Sequence, residues 1–152
     1  SNSWKKGRAM RRSLEQARRD IVVARNILDI MQSTRKPMSY KDLSLRIKEL
    51  DRGNWMHWRV LRYPLGRVLD DTSSAFELPL LPVMVINRRS HLPGKGFFEK
   101  MLANGSDLAR DIAPDASCYD DLAPEEMRQL VEQEQAKCLR QGDWEKPFEW
   151  MG

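Results

Sequence analysis

A chain of 152 residues, 41% hydrophobic and 32% charged, is long enough for one domain with a real core, or one domain with a helical extension. No apolar run approaches the roughly 18 residues that a membrane-spanning helix needs. The two cysteines, Cys118 and Cys138, are too few for a disulfide framework. A membrane protein, a secreted disulfide scaffold, a zinc finger and a large multidomain enzyme are therefore not expected. A cytoplasmic setting is expected, and Ser1-Asn2 reads as a cloning remnant and not as a leader.

The net charge of +4 hides a gradient. Residues 1–52 carry 14 Lys/Arg against 6 Asp/Glu, and residues 53–100 carry 7 against 4. Residues 101–152 reverse the balance, with 5 against 12. A basic body concentrates a polyanion around itself, and nucleic acid is the commonest such partner. The plainer reading of the same numbers is that the two halves neutralise each other within the fold.

The first expected element is a long helix, about Arg8 to Gln32. Met10, Leu14, Ala17, Ile21, Ala24, Leu28 and Met31 recur in steps of four and three, a stripe on one helix face. Val22, Val23, Ile27 and Ile30 widen the apolar surface in the second half, which is expected to lie in a core. The Met10–Ala17 portion offers a narrower seam through which two copies could associate. Arg8, Arg11, Arg12, Arg18, Arg19 and Arg25 fill much of the remaining surface, and guanidinium groups suit phosphate.

Thr34 to Pro37 breaks this helix. Ser39 reads as the N-cap of a second, with Asp42 three residues on as in a capping box, and Tyr40, Leu43, Ile47 and Leu50 on its inner face. A third helical region, Trp55 to Thr72, is interrupted by Pro64. Its second piece is expected to start at Pro64, to end at Asp70 or Asp71, and to point Arg67 outward. One strand is expected, at Val83–Asn87, buried by its branched apolar residues. A basic loop, Asn87 to Gly96, leads to Phe97-Phe98, which should anchor it to the core. A short helix about Glu99–Ala103 closes at Asn104-Gly105. Beyond a turn-rich stretch, Asp121 is expected to cap a helix starting near Pro124 and ending at Gly142. Trp144, Phe148 and Trp150 then form an aromatic tail that docks back on the domain.

Catalytic and metal chemistry finds little footing. His57, His91, Cys118 and Cys138 have no close pairs, so a zinc site fails on spacing. Asp70, Asp71 and Glu77 could compose a nuclease site, but no lysine stands two residues after Glu77, and the aspartates read as a helix end. Pro93-Gly94-Lys95-Gly96 lacks the earlier glycine and the following Ser or Thr of a phosphate loop. His91 reads as a loop histidine. Trp55 and Trp58, beside His57 and Arg59, could stack bases, although burial in the core is the plainer expectation.

The order of three helices, strand, basic loop and aromatic anchor is that of a winged helix-turn-helix domain, in which a helix enters the major groove and a wing touches the backbone. The expected fold is therefore mainly α with a small β element. A long basic helix (1–33) precedes a winged-helix-like core (34–105), and an acidic helical extension (106–152) follows. Ser39 to Leu43, Leu65 to Leu69 and Leu80 to Arg89, with Gly94 and Gly96 before an aromatic, resemble the DNA-binding domain of alkylguanine-DNA alkyltransferases and alkyltransferase-like proteins. The resemblance implies a winged helix and a DNA surface that includes Arg67 and Arg89. Where that family has its nucleophilic cysteine this chain has Asn87, so alkyl transfer is excluded.

The functional expectation is a non-enzymatic protein that binds duplex DNA and needs no cofactor. Arg59, Arg62, Arg67, Arg88, Arg89 and Lys95 would make its contacts, and Gly94 and Gly96 would let the wing approach closely. The alternative is a protein-interaction module of the same fold, its basic surface meeting an acidic protein.

Overall fold

The computed structural model describes residues 3–151, and the side chains of residues 7–12 lie outside the described ones. The expectations placed on Ser1, Asn2, Met10, Arg8, Arg11 and Arg12 therefore fall outside the described residues or side chains. Helix α1 runs Ser3–Thr34, longer at both ends than the periodicity predicts. Its second half enters the core through Val23, Ala24, Ile27, Leu28, Ile30 and Met31, as the widened stripe requires. A left-handed residue, Arg35 at φ 51°, turns the chain out of it.

Strand β1 (Met38–Ser39) leads directly into α2 (Tyr40–Leu50). Ser39 caps α2 as expected, its Oγ accepting from the Asp42 N–H at 3.1 Å. Leu43 and Ile47 are buried on the inner face, whereas Leu50 is exposed. The third region departs most from expectation. Only a single turn forms at Trp58–Val60, and Pro64–Asp70 is a π-helical segment that passes into α3 (Asp71–Ala75). The wider π turn lets Leu65, Val68, Leu69 and Asp70 all face inward, while Arg67 points to solvent as expected.

Strand β2 is only Val85–Ile86, shorter than the expected Val83–Asn87, because Leu81–Met84 coils into a tight turn. It pairs in parallel with β1, Met38 opposite Val85 and Ser39 opposite Ile86. Among the described residues no strand returns antiparallel along β2. The basic loop closes on itself instead. The His91 N–H donates to the Asn87 carbonyl, and the Asn87 N–H to the Leu92 carbonyl, each at 2.8 Å.

Helix α4 (Lys95–Asn104) starts earlier than expected and ends as expected at Gly105, whose φ of 60° gives the left-handed cap glycine tolerates. Phe97 and Phe98 are buried and hold the loop's far end. Helix α5 (Asp107–Ile112) follows, then α6 (Pro124–Arg140). Asp121 does not cap α6. Its Oδ2 accepts from the Ser117 and Cys118 N–H groups, and Glu126 reaches back instead to the Ala123 N–H at 2.8 Å.

One hydrophobic cluster runs from Val23 on α1 to Phe148 in the tail. The last third belongs to it. Glu134 of α6 accepts from the Leu80 N–H at 2.9 Å, and Gln135 donates to the Val83 carbonyl at 3.1 Å. Trp144 is fully buried, its indole N–H on the Cys138 carbonyl at 2.8 Å and the Arg35 guanidinium over its ring at 4.2 Å. Phe148 is buried beside it, while Trp150 stays exposed. No described helix is long and apolar enough to cross a membrane.

Candidate nucleic-acid interface

The surface that joins the expected contact residues is built where α2, the Trp58–Asp70 segment and the basic loop meet. An open cleft of about 480 Å³ has Arg59, Arg62 and Lys95 on its rim. A second hollow of about 450 Å³, lined by Lys41, Arg88 and Arg89, shares Tyr40, Trp58 and Asn87 with the first. Five of the six expected residues thus surround one Tyr40–Trp58 centre. Arg67 is set apart, in a groove of about 300 Å³ formed with the α1 residues Gln16, Ala17 and Asp20. It still touches the edge of the cleft, since its guanidinium lies 4.5 Å from the centre of the Tyr63 ring.

Aromatic rings hold these cations in place. Arg59 and Lys41 lie 5.2 and 5.4 Å from the centre of the Trp58 ring, and Arg62 lies 4.9 Å from that of Tyr63. Arg62 also donates to the Tyr63 hydroxyl at 2.9 Å. That hydrogen bond, the Arg62 charge and then the Arg67 charge hold the Tyr63 phenol below its usual range. Trp58 is half-buried: it packs against the core, as expected, and also lines the cleft. Trp55 is likewise half-buried, its indole N–H donating to the Ser44 hydroxyl at 2.9 Å.

Tyr40 belongs to the site although its sequence position marks it only as a helix residue. Its hydroxyl accepts from the Gly94 N–H at 2.9 Å and so ties the basic loop to α2. Burial raises its phenol above the ordinary range, with that hydrogen bond opposing. The approach is close: a Cβ at position 94 would stand 3.1 Å from the Tyr40 hydroxyl, so a larger residue would push that hydroxyl back by a few tenths of an ångström. Gly96 faces open space, with no protein atom within 4 Å of where a Cβ would stand.

Carboxylates near the rim are few and exposed. Asp42 pairs with Arg88 at 3.3 Å and Glu99 with Lys95 at 3.4 Å, all four side chains more than half exposed. Such surface pairs are worth about 0–1 kcal/mol, so a phosphate can replace the carboxylate at little cost. Among the described residues, the ion pairs of the final third stay within it. Arg110 pairs with Asp107, Arg128 with Glu125 and Glu132, and Lys137 with Glu134. The acidic tail docks on the end of α1. The Trp144 N–H donates to Gln32, and Arg35 donates to the Leu139, Gln141 and Gly142 carbonyls.

Asp70 sits at the cleft's floor, 3% exposed, with no hydrogen-bond partner for its buried Oδ1. Burial pushes its carboxyl well above the ordinary range. The Lys100 charge opposes that rise, while Asp71 and Glu134 add to it. A carboxyl raised in this way favours the fold below its unfolded value near 3.9, and the benefit is lost as pH climbs through the folded value. Asp70→Asn, which cannot ionise, is therefore expected to be more stable than the parent at pH 7. The gap should close near pH 4, as parallel urea melts across pH would record. A variant less stable at pH 7 would show that the carboxylate is held by a favourable contact.

The residues considered for nuclease chemistry do not come together. Asp71 turns to Lys100 at 2.5 Å, and Glu77 lines a different groove with Leu78 and Pro79. Among the described residues no three His, Cys, Asp or Glu are grouped to hold a metal ion. Both cysteines are free, and burial raises the Cys138 thiol far from reactivity. No protein-family model, curated protein or solved structure matches this chain, so the arrangement of its own side chains is what carries a functional reading.

Proposed function

We propose that this protein binds duplex DNA without performing chemistry on it, through the basic cleft centred on Tyr40 and Trp58. The observation that carries the reading is the gathering of Arg59, Arg62, Lys95, Arg88 and Arg89 around one centre, with Lys41 added. Their charge-bearing groups lie in solvent, over aromatic rings (Lys95 over Tyr119 of the final third, at 5.7 Å) or in weak surface pairs, and among the described residues no ion pair joins them to the carboxylates of that third. Guanidinium groups fanned along a cleft can grip successive phosphates, and the loop held by Tyr40 would set their spacing. The winged-helix architecture belongs to this proposal as well. Its support is the sequence pattern, the helix order and an arginine loop following β2.

Binding to random duplex DNA tests the reading. About five phosphate contacts give a slope of about −4 to −5 in log affinity against log salt. Arg88→Ala with Arg89→Ala should weaken binding and flatten that slope by about 2 units while the protein melts as before. Absence of binding at low salt would overturn the proposal and favour an acidic protein as the partner of the same cations.

A further inference from the structure

The described side chains in the first half of α1 take no part in the core. Every described side chain among residues 3–6 and 13–19 is exposed, and Asp20 is the first buried one among the described residues. At 1.5 Å per residue this is an arm of about 25 Å. Residues 3–19 contain seven Lys/Arg and one Glu, a net charge of +6. A helix of this length without packing is marginal in water, so a surface that meets it would add to its order.

The arm leaves the body beside the candidate interface. Arg19 donates to the Trp55 carbonyl at 2.8 Å. The groove between Gln16, Ala17 and Asp20 holds Arg67, the one expected contact residue outside the cleft. Arg67 in turn lies over Tyr63, which lines the cleft wall. Positive charge thus continues from the cleft through Arg67 to the arm. Two occupants compete for it. A second copy would have to bring another net +6 alongside, with Leu14 and Ala17 as the described part of the apolar seam. A nucleic-acid backbone carries one negative charge per about 1.7 Å of duplex and meets the charge directly.

We infer that the N-terminal half of α1 is a second DNA contact, an arm that follows the phosphates flanking the duplex held in the cleft. The inference rests on the proposed DNA binding and extends its footprint by about seven base pairs, the arm's length at 3.4 Å per pair. Because the arm's described side chains do not support the core, the charge they carry can be removed without unfolding the body.

The test uses the full chain with Lys5→Gln, Lys6→Gln and Arg18→Gln together, all exposed positions. Anisotropy would follow binding to random duplexes of about 12 and about 30 base pairs over a range of salt. The parent should bind the long duplex with the steeper salt dependence. The triple variant should lose about 2 to 3 units of that slope on the long duplex, keep the parent's affinity for the short one, and melt unchanged. Equal slopes for parent and variant on the long duplex would overturn the arm while leaving the cleft reading intact. A parent that binds neither duplex at low salt would remove both. A parent dimer in sedimentation that Leu14→Lys converts to monomer would assign the arm to a second copy instead.

Discussion

Trp144→Ala is expected to destabilise the protein by about 3–5 kcal/mol, the range for removing a buried large aromatic. Three independent interactions converge on this ring. It is fully buried, its N–H satisfies the Cys138 carbonyl near the end of α6, and its face supports the Arg35 guanidinium. Arg35 also donates to three carbonyls where α6 ends, so losing the ring loosens the junction between α1 and the acidic third. At about 2–4 °C per kcal/mol for a chain of this size, the midpoint should fall by roughly 10 °C. Urea and thermal melts would record it. A loss below about 1 kcal/mol would mean that the tail is not held as described.

What can be read in the sequence is local. Ser39 before Tyr40 announces α2, because an N-cap is a bond between residues three apart. Gly105 announces the end of α4, because a left-handed cap needs glycine. The widened stripe of α1 finds the core, since helical periodicity and burial are one signal. The misses come from tertiary context. Val83 and Met84 look like strand residues, yet β1 supplies only Met38 and Ser39 as partners, so the ladder is two residues long. At Pro64–Asp70, Leu65, Val68 and Leu69 keep the i, i+3, i+4 face legible in the sequence, but the π turn that also buries Asp70 has no local signal. Asp121 has the character of a cap and spends it on Ser117 and Cys118, one turn too early.

The candidate interface divides the same way. Neighbours in sequence, Trp58-Arg59 and Arg62-Tyr63, already pair a cation with a ring, and the loop arginines are visible as charge. Tyr40 and Asp70 are not. Tyr40 reads as an apolar helix position until Gly94 is brought to it across the fold. Asp70 reads as an acidic helix end until the π turn rotates it inward. Arg67, which the family resemblance groups with Arg89, lies in a separate groove and reaches the cleft's edge only over Tyr63.

The second large effect concerns the rim. Arg59, Arg62 and Lys95 are exposed cations on one cleft, and none carries a side-chain hydrogen bond that the core depends on. Changing all three to alanine should leave melting within about 0.5 kcal/mol of the parent. Binding to random duplex DNA should weaken roughly a hundredfold, at about 1 kcal/mol for each hydrogen bond to phosphate that is removed. The salt slope should flatten by about 2 to 3 units. Arg110→Ala with Arg128→Ala removes two cations from the acidic third, where both already pair with carboxylates, and serves as the control. The most direct measurement is therefore the duplex affinity of these two variants against the parent over a salt series. The gathering of cations at the Tyr40–Trp58 cleft predicts a steep loss for the rim variant and almost none for the control. Equal losses in both, or none in either, would contradict it.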